Sequence, residues 1–510
     1  MKRSPVVTII AALLAAGVAG AQQQDPEAAL RLFAEAERLT QEGDLEAALR
    51  NYELLVRQFD RAAIADDALL RIAEGRWQLG DRRAADVAID ALKTDYTGTA
   101  GAAGAFVLEG NIRRATSRGA ADLEAAREAF RSVVLLYGAA DFPGLEWRAL
   151  ARLRAGEVSI LLGEPQAAAA HLVAAIEDEP HSRWTEPAQL HLATVLMRSG
   201  AWQPAAEILQ RIIDESVLEA AVHDTDDGIV AAARRWLELS YRLQLRPSLS
   251  RQPWEGARRV RFTGPQLKDP VGIEAGEDNR VVIVDSGIPL VAVVEPDGTL
   301  THRIRSSDVF HPWWGRGTDP YVAAKRSVLN IVSRRRQDFM APDKNEMKQV
   351  EEVTAGAHGI HRQWMVLDSK RKRVLLLDED ANHMSQLVGG DNSEPIDIAV
   401  DYLGRLYVLD RKAKTVLRFS ADGGQRTRVL QGNWRRPEAI ALDGLGNLYI
   451  LDRDAKTIEV FDPNGVFLWR LGPQLPGGGI ELKSPRDISV DGSGRIYIAD
   501  KDLKAFLVIE

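Results

Sequence analysis

The chain has 510 residues and no cysteine. That excludes disulfides, thiolate metal sites, a cysteine nucleophile and a lipid anchor on an N-terminal cysteine. Long apolar runs are missing too: no later segment approaches the roughly 20 residues a membrane helix needs, and the single apolar stretch, Val6 to Val18, is short and rich in Ala and Gly. There is no Gly-x-Ser-x-Gly elbow, no phosphate-binding loop and no His-Glu-x-x-His, which removes the commonest hydrolase, nucleotide and zinc-peptidase signatures. Strong net charge is also absent. The formal total of −8 divides unevenly, with 27 Lys and Arg against 36 Asp and Glu in the first 250 residues and 38 against 37 in the rest. The first half is therefore the acidic one.

The beginning of the chain has the three parts of an export signal: basic Lys2 and Arg3, the apolar stretch, and small residues at Ala19 and Ala21. This order predicts cleavage after Ala21, a mature chain starting at Gln22 without a membrane span, and a periplasmic or secreted location.

The length exceeds what one hydrophobic core organises, so at least two domains are expected. Residues 22–246 are dense in Ala, Leu, Glu and Arg with helical periodicity. A recurring turn, Gly43-Asp, Gly80-Asp, Gly163-Glu and Gly200-Ala, each followed by an Ala pair, separates the helices, and two of its spacings are 37 residues. Glycine ends one helix and the next residue starts another. This pattern resembles exported tetratricopeptide repeats, carried most specifically by Phe59 to Leu70 and Trp77-Gln-Leu-Gly-Asp81. The resemblance implies a solenoid that binds protein along a groove.

After a polar, proline-flanked joint at 247–257 the pattern changes. The phrases Pro395-Ile-Asp-Ile-Ala-Val-Asp401, Pro437-Glu-Ala-Ile-Ala-Leu-Asp443 and Pro485-Arg-Asp-Ile-Ser-Val-Asp491 each lead into an apolar run ending in Asp410, Asp452 or Asp500. A repeat of about 40–50 residues with several strands per unit indicates propeller blades. Residues 258–510 are expected to form six, with 309–353 as an irregular one. The last blade lacks a strand, so Arg258 to Thr263 is expected to complete it and close the ring. The sequence Gly446-Asn-Leu-Tyr-Ile-Leu-Asp452, followed by Val460-Phe-Asp-Pro-Asn-Gly465, is similar to NHL repeats. The fold class expected is thus an all-α solenoid followed by an all-β six-bladed propeller.

Candidate chemistry is sparse. Five histidines, His302, His311, His358, His361 and His383, fall in the propeller half. Only His358 and His361 are close, and side chains three apart on an inner strand point to opposite faces, so no metal site is expected. Asp378 to Asn382 reads as a hairpin turn, not a calcium loop, because His383 stands where glycine is wanted. The signal retained is cationic. Loops on one propeller face carry Arg334, Arg335 and Arg336; Lys370, Arg371, Lys372 and Arg373; Arg411, Lys412 and Lys414; Trp434, Arg435 and Arg436; Arg453 and Lys456; and Lys501 and Lys504. A ring of these charges would favour an anionic partner.

The resulting expectation is an exported, non-enzymatic adaptor without cofactor, binding proteins and an anionic glycan or envelope polymer but not nucleic acid. The alternative is a propeller lyase or hydrolase with its site in the central channel. A channel lined by aliphatic and backbone groups would favour the first, and converging histidines with an ion the second.

Overall fold

The computed structural model describes residues 26–180, 182–219, 227–245, 253–276, 279–306, 309–315, 319–343, 346–388 and 393–510. The export signal and most of the joint at 247–257 lie outside these. Contacts divide the chain into two compact units, Met1–Leu192 and Ala193–Glu510. The division falls inside the helix Thr185–Arg198.

Eleven α-helices occupy the described residues from Pro26 to Ser240. The repeated turn explains their punctuation. Gly43 and Gly80 adopt φ of 84° and 79°, a left-handed conformation that costs glycine little. The aspartate after each accepts the backbone N–H three residues on, Asp44 from Ala47 and Asp81 from Ala84, capping the next helix. In the first unit the helices meet over Tyr52, Leu55, Ile72 and Leu92. Gly110 lets Phe130 close in, since a Cβ there would lie 2.5 Å from the ring. Among the described residues no helix is long and apolar enough to cross a membrane.

The second unit contains a six-bladed β-propeller. Five four-stranded antiparallel sheets have their strands in chain order, the blade opening at Pro437 comprising Pro437–Leu442, Leu448–Asp452, Thr457–Phe461 and Phe467–Leu471. The sixth consists of Pro485–Val490, Ile496–Asp500 and Ala505–Ile509, joined by Ala257–Arg259 from the start of the unit. The inner strands, beginning at Pro270, Pro312, Val353, Pro395, Pro437 and Pro485, neighbour one another around the ring. The irregular blade is three short strands around Pro320–Ala324, followed by an added hairpin, Met340–Asp343 with Glu346–Gln349.

The repeated aspartates are structural pins. Asp452 accepts the N–H groups of Arg435, Arg436 and Ala455, tying the loop that enters a blade to the turn leaving its second strand. Asp443 accepts from Leu445, the Asn447 backbone and side chain, and the Tyr449 hydroxyl. Asp491 does the same for its own turn, through Ser493, Arg495 and Tyr497. Buried carboxylates are tolerated when their oxygens are satisfied in this way.

The last helices belong to this unit because they are fastened to the propeller's inner turns. The Arg198 guanidinium lies 3.5 Å from the Tyr402 ring centroid and donates to the Gly444 carbonyl at 3.2 Å. Arg242 donates to the Ser493 carbonyl, and Trp236 covers Gly444 so closely that a Cβ would sit 2.8 Å from it.

Candidate active site in the propeller channel

Three of the six inner strands present a small residue at their third position, Gly272, Ala355 and Ala439, where the chain bulges after the first residue. Two present aspartate instead, Asp397 and Asp487. Each carboxylate is a clasp between blades. Asp397 accepts from its neighbour Ile398 and from Ile440 of the next blade, both at 2.8 Å. Asp487 accepts from Ile488 at 2.9 Å and, across the ring closure, from Ile273 at 2.8 Å.

His311, just before the inner strand of the irregular blade, reaches between them. Its Nδ1 lies 3.1 Å from Asp487 Oδ1 and its Nε2 4.0 Å from Asp397 Oδ1. The first is a hydrogen bond and the second too long for one. Burial opposes a charge on His311, but Asp487 and Asp397, with Glu274 beyond them, outweigh it and raise its pKa to about 10. Glu274, on the inner strand Pro270–Ala275, is pushed up to about 8, mainly by burial, with His311 opposing. Burial also raises Asp397. At neutral pH the group therefore holds an imidazolium and a protonated Glu274.

His311, Asp397 and Asp487 offer ligand atoms all within 4.8 Å of one another, the one such set among the described residues. The set does not fit a metal as it stands. The imidazole already bridges the space between the carboxylates, and every oxygen of Asp397 and Asp487 accepts an N–H. The ring itself supplies the positive charge that the carboxylates require.

Two cavities meet at His311. One, of about 310 Å³, is lined by Asp397, Asp487, Lys372, Arg411, Glu438 and Arg486 among others. The other, of about 320 Å³, is lined by Glu274, Trp313, Trp314, His358, Tyr402 and Ser489 over an aliphatic floor that includes Ile398, Ile440 and Ile488. The walls of the second are packed from behind. Trp313 stacks on Tyr321 with centroids 6.0 Å apart and donates to His358 Nδ1 at 3.2 Å. Gly356 is needed behind it, as a Cβ would meet the indole at 2.5 Å.

The cationic residues read from the loops fare unevenly. Arg334, Arg335, Arg336, Lys370, Lys372, Lys412, Lys414, Arg435, Arg436 and Lys504 are exposed. Arg334, Lys372, Lys414, Lys456 and Lys504 share a left-handed backbone, φ between 48° and 59°, so their positions serve the turns. Many charges are answered within the chain. Glu438 gathers Arg411, Arg436, Arg453 and the unanticipated Arg486 within 4.0 Å. Arg371 pairs with Asp343 and Glu351, and Lys501 with Asp269. Two residues are removed from the face altogether. Arg373 is buried against Asp368, and Trp434 is 2% exposed, its Nε1 donating to Glu459; packing of the indole beside Phe461 leaves no ring for stacking.

His358 and His361 do not converge. The first joins Trp313, Tyr321 and Trp364 in an aromatic cluster, and the second is buried in the following turn. Asp378 accepts from Asp380 and Asn382 in a hairpin turn. Sequence reasoning missed Glu274 and took Asp397 and Asp487 only as repeat positions. The available signal was an acid where sister blades carry Gly or Ala.

No family model matches the chain, and no curated protein is significantly similar to it. Among solved structures it is similar to virginiamycin B lyase from Staphylococcus aureus, at 12% identity and TM-score 0.39 over 50% of this chain and 98% of that one. A gluconolactonase from Xanthomonas campestris gives 12% identity and TM-score 0.39 over 50% and 95%. Hydrazine synthase from Kuenenia stuttgartiensis gives 14% and 0.37 over 47% and 83%. At this level the likeness assigns no reaction. The bare channel expected of a non-enzymatic adaptor is nonetheless corrected: the channel centre holds four ionisable side chains instead of a ring of aliphatic and backbone groups.

Proposed function

We propose that the chain is an enzyme of the lyase or hydrolase kind, with its centre in the propeller channel at His311 and Glu274. The observation that carries this reading is His311 fixed by Asp487 at 3.1 Å, beside a carboxyl kept protonated, where two cavities join. Such a pair suits a reaction in which a carbon–oxygen bond breaks and negative charge collects on oxygen. The Nε2–H of His311 stabilises that charge. Glu274 hands its proton to the leaving oxygen, and its carboxylate then takes a proton from the water whose hydroxide adds to the carbon that the leaving oxygen has left, which restores the acid. Asp487 holds the ring by Nδ1 and so turns Nε2 to the substrate. The export read from residues 1–21 is part of the same proposal.

The test is ester cleavage by the full-length protein with p-nitrophenyl acetate as probe. His311→Gln and Glu274→Gln are each expected to lower kcat/KM by at least about 100-fold, the usual scale for losing an acid–base group, while Lys414→Glu leaves it unchanged. No turnover by the wild type, or turnover indifferent to both substitutions, contradicts the reading.

A further inference from the structure

The cavity of about 310 Å³ on the aspartate side of His311 carries cations whose donors are reachable and unspent. The four carboxylates that line it all have partners. Asp397 and Asp487 hold amide N–H groups and face His311, while Arg411 donates to Glu438 at 2.9 Å and to Glu394 at 3.5 Å. Arg486, second in the sixth inner strand, is left over. Its Nη1 lies 3.8 Å from Glu438, too long for a hydrogen bond, and its side chain makes none among the described residues. Of its nitrogens Nε alone is sealed from the surface, so both Nη atoms are accessible, on a side chain that is 24% exposed and lines the cavity. Lys372 lines the same cavity, is exposed, and has no ion pair among the described residues.

The charges point the same way. His311, Lys372, Arg411 and Arg486 balance the four carboxylates of the lining, but Arg436 and Arg453 also crowd Glu438, at 3.5 and 3.7 Å. Burial first, then Arg486 and Arg436, hold the Arg453 guanidinium below its ordinary pKa, although Glu438 and Asp454 oppose them. With Asp454 counted, six cations face five carboxylates and one positive charge is unanswered.

We infer that this cavity binds a molecule through a carboxylate, received by the Arg486 guanidinium and Lys372, with the apolar remainder of the ligand against Val271, Phe310 and Ile396 beside His311. This names the substrate of the channel site proposed above as a carboxylic acid anion, and rests on that reading for its place, not for its catalysis. The planar fork of a guanidinium matches a carboxylate with two parallel N–H···O bonds. A doubly charged phosphate exceeds the single surplus charge, and an uncharged ligand leaves it unanswered.

The experiment uses 3-methylbutanoate, which has the carboxylate and an apolar body but no bond to cleave. It is titrated into the full-length protein by ligand-observed NMR, beside the isosteric 3-methylbutanamide and the dianion 3-methylbutyl phosphate. The acid is expected to bind at least tenfold more tightly than the amide, and more tightly than the phosphate. Arg486→Gln is expected to weaken the acid at least tenfold and Lys372→Gln several-fold, both leaving the amide unchanged. Arg303→Gln removes the same charge from the exposed outer strand Leu300–Ile304 and is expected to change nothing. A thermal melt confirms that each variant is folded; should Arg486→Gln not fold, Lys372→Gln decides. Equal binding of acid and amide, preference for the phosphate, indifference to the two cavity substitutions, an equal loss in Arg303→Gln, or no saturable binding of the acid overturns the inference. If the acid binds as expected while His311→Gln leaves ester cleavage intact, the catalytic reading fails and the binding inference stands. If cleavage needs His311 while acid and amide bind alike, the reverse holds.

Discussion

Asp487→Ala is expected to lower the stability of the propeller unit by roughly 3–5 kcal/mol, the scale for breaking a buried ion pair from one side. The side chain is 1% exposed and has three duties. It accepts the amide of Ile488 within its own strand, accepts the amide of Ile273 in the first blade, and binds His311. Removing it leaves two buried N–H groups without partners and the imidazolium with only Asp397 nearby. Because Ile273 belongs to the first blade, the loss falls on the seam where the ring closes. Asp487→Asn keeps the size and one acceptor oxygen, so it is expected to cost less. Urea denaturation followed by tryptophan fluorescence measures both; an alanine variant within about 0.5 kcal/mol of wild type would mean that the clasp is dispensable.

Trp254→Ala is expected to cost about 3–5 kcal/mol, the usual range for deleting a large buried aromatic. Trp254 precedes the closing strand Ala257–Arg259 and is 2% exposed. It packs edge-on against Tyr449 and Trp469, at 6.2 and 5.8 Å, and donates its indole N–H to the Gly494 carbonyl. The closing strand itself has three paired residues, too few to hold the seam without this anchor. Arg258→Ala serves as the contrast. Its ion pair with Glu510 is exposed, 53% and 42% for the two side chains, and such pairs contribute about 0–1 kcal/mol. Equal losses in the two variants would show that the anchor has been misplaced.

The propeller was legible because a blade repeats its grammar. Proline opens an inner strand, aspartate pins the turn, and the Asp462-Pro-Asn-Gly465 step makes a hairpin whose Asp462 accepts from Asn464 and Val466. Each is a local rule with a residue type attached, and the six blades follow. The helical punctuation was legible for the same reason. The channel centre was not, because its members come from the first, second, fourth and sixth blades, and nothing local marks Glu274 as facing His311. The cationic loops show the opposite limit. Arginine counts reveal charge but not its partner, and Glu438, which gathers four arginines, looks in sequence like an ordinary surface residue. Trp434 lay beside two arginines in sequence, while its ring went into the gap beside Phe461.

The charge arrangement at the centre also sets a pH dependence. His311 and Glu274 have folded-state pKa values above their ordinary ones, raised to about 10 from 6.5 and to about 8 from 4.5. The folded chain therefore holds more protons than the unfolded one, and these groups contribute stability that is complete at low pH. The contribution of Glu274 is lost as pH rises through about 8, and that of His311 through about 10. The groups facing them are Asp487, Asp397 and Ser489, from the sixth and fourth blades.

The most direct test is the protonation of His311, since both the proton-donating centre and the imidazolium that fills the place of a cation depend on it. Nitrogen-15 chemical shifts of the imidazole, assigned by comparison with His311→Gln, report it across pH 5 to 10.5. The account predicts that both ring nitrogens stay protonated at pH 8 and that titration is centred near 10. A neutral ring at pH 8, titrating near the ordinary value of about 6.5, would contradict it.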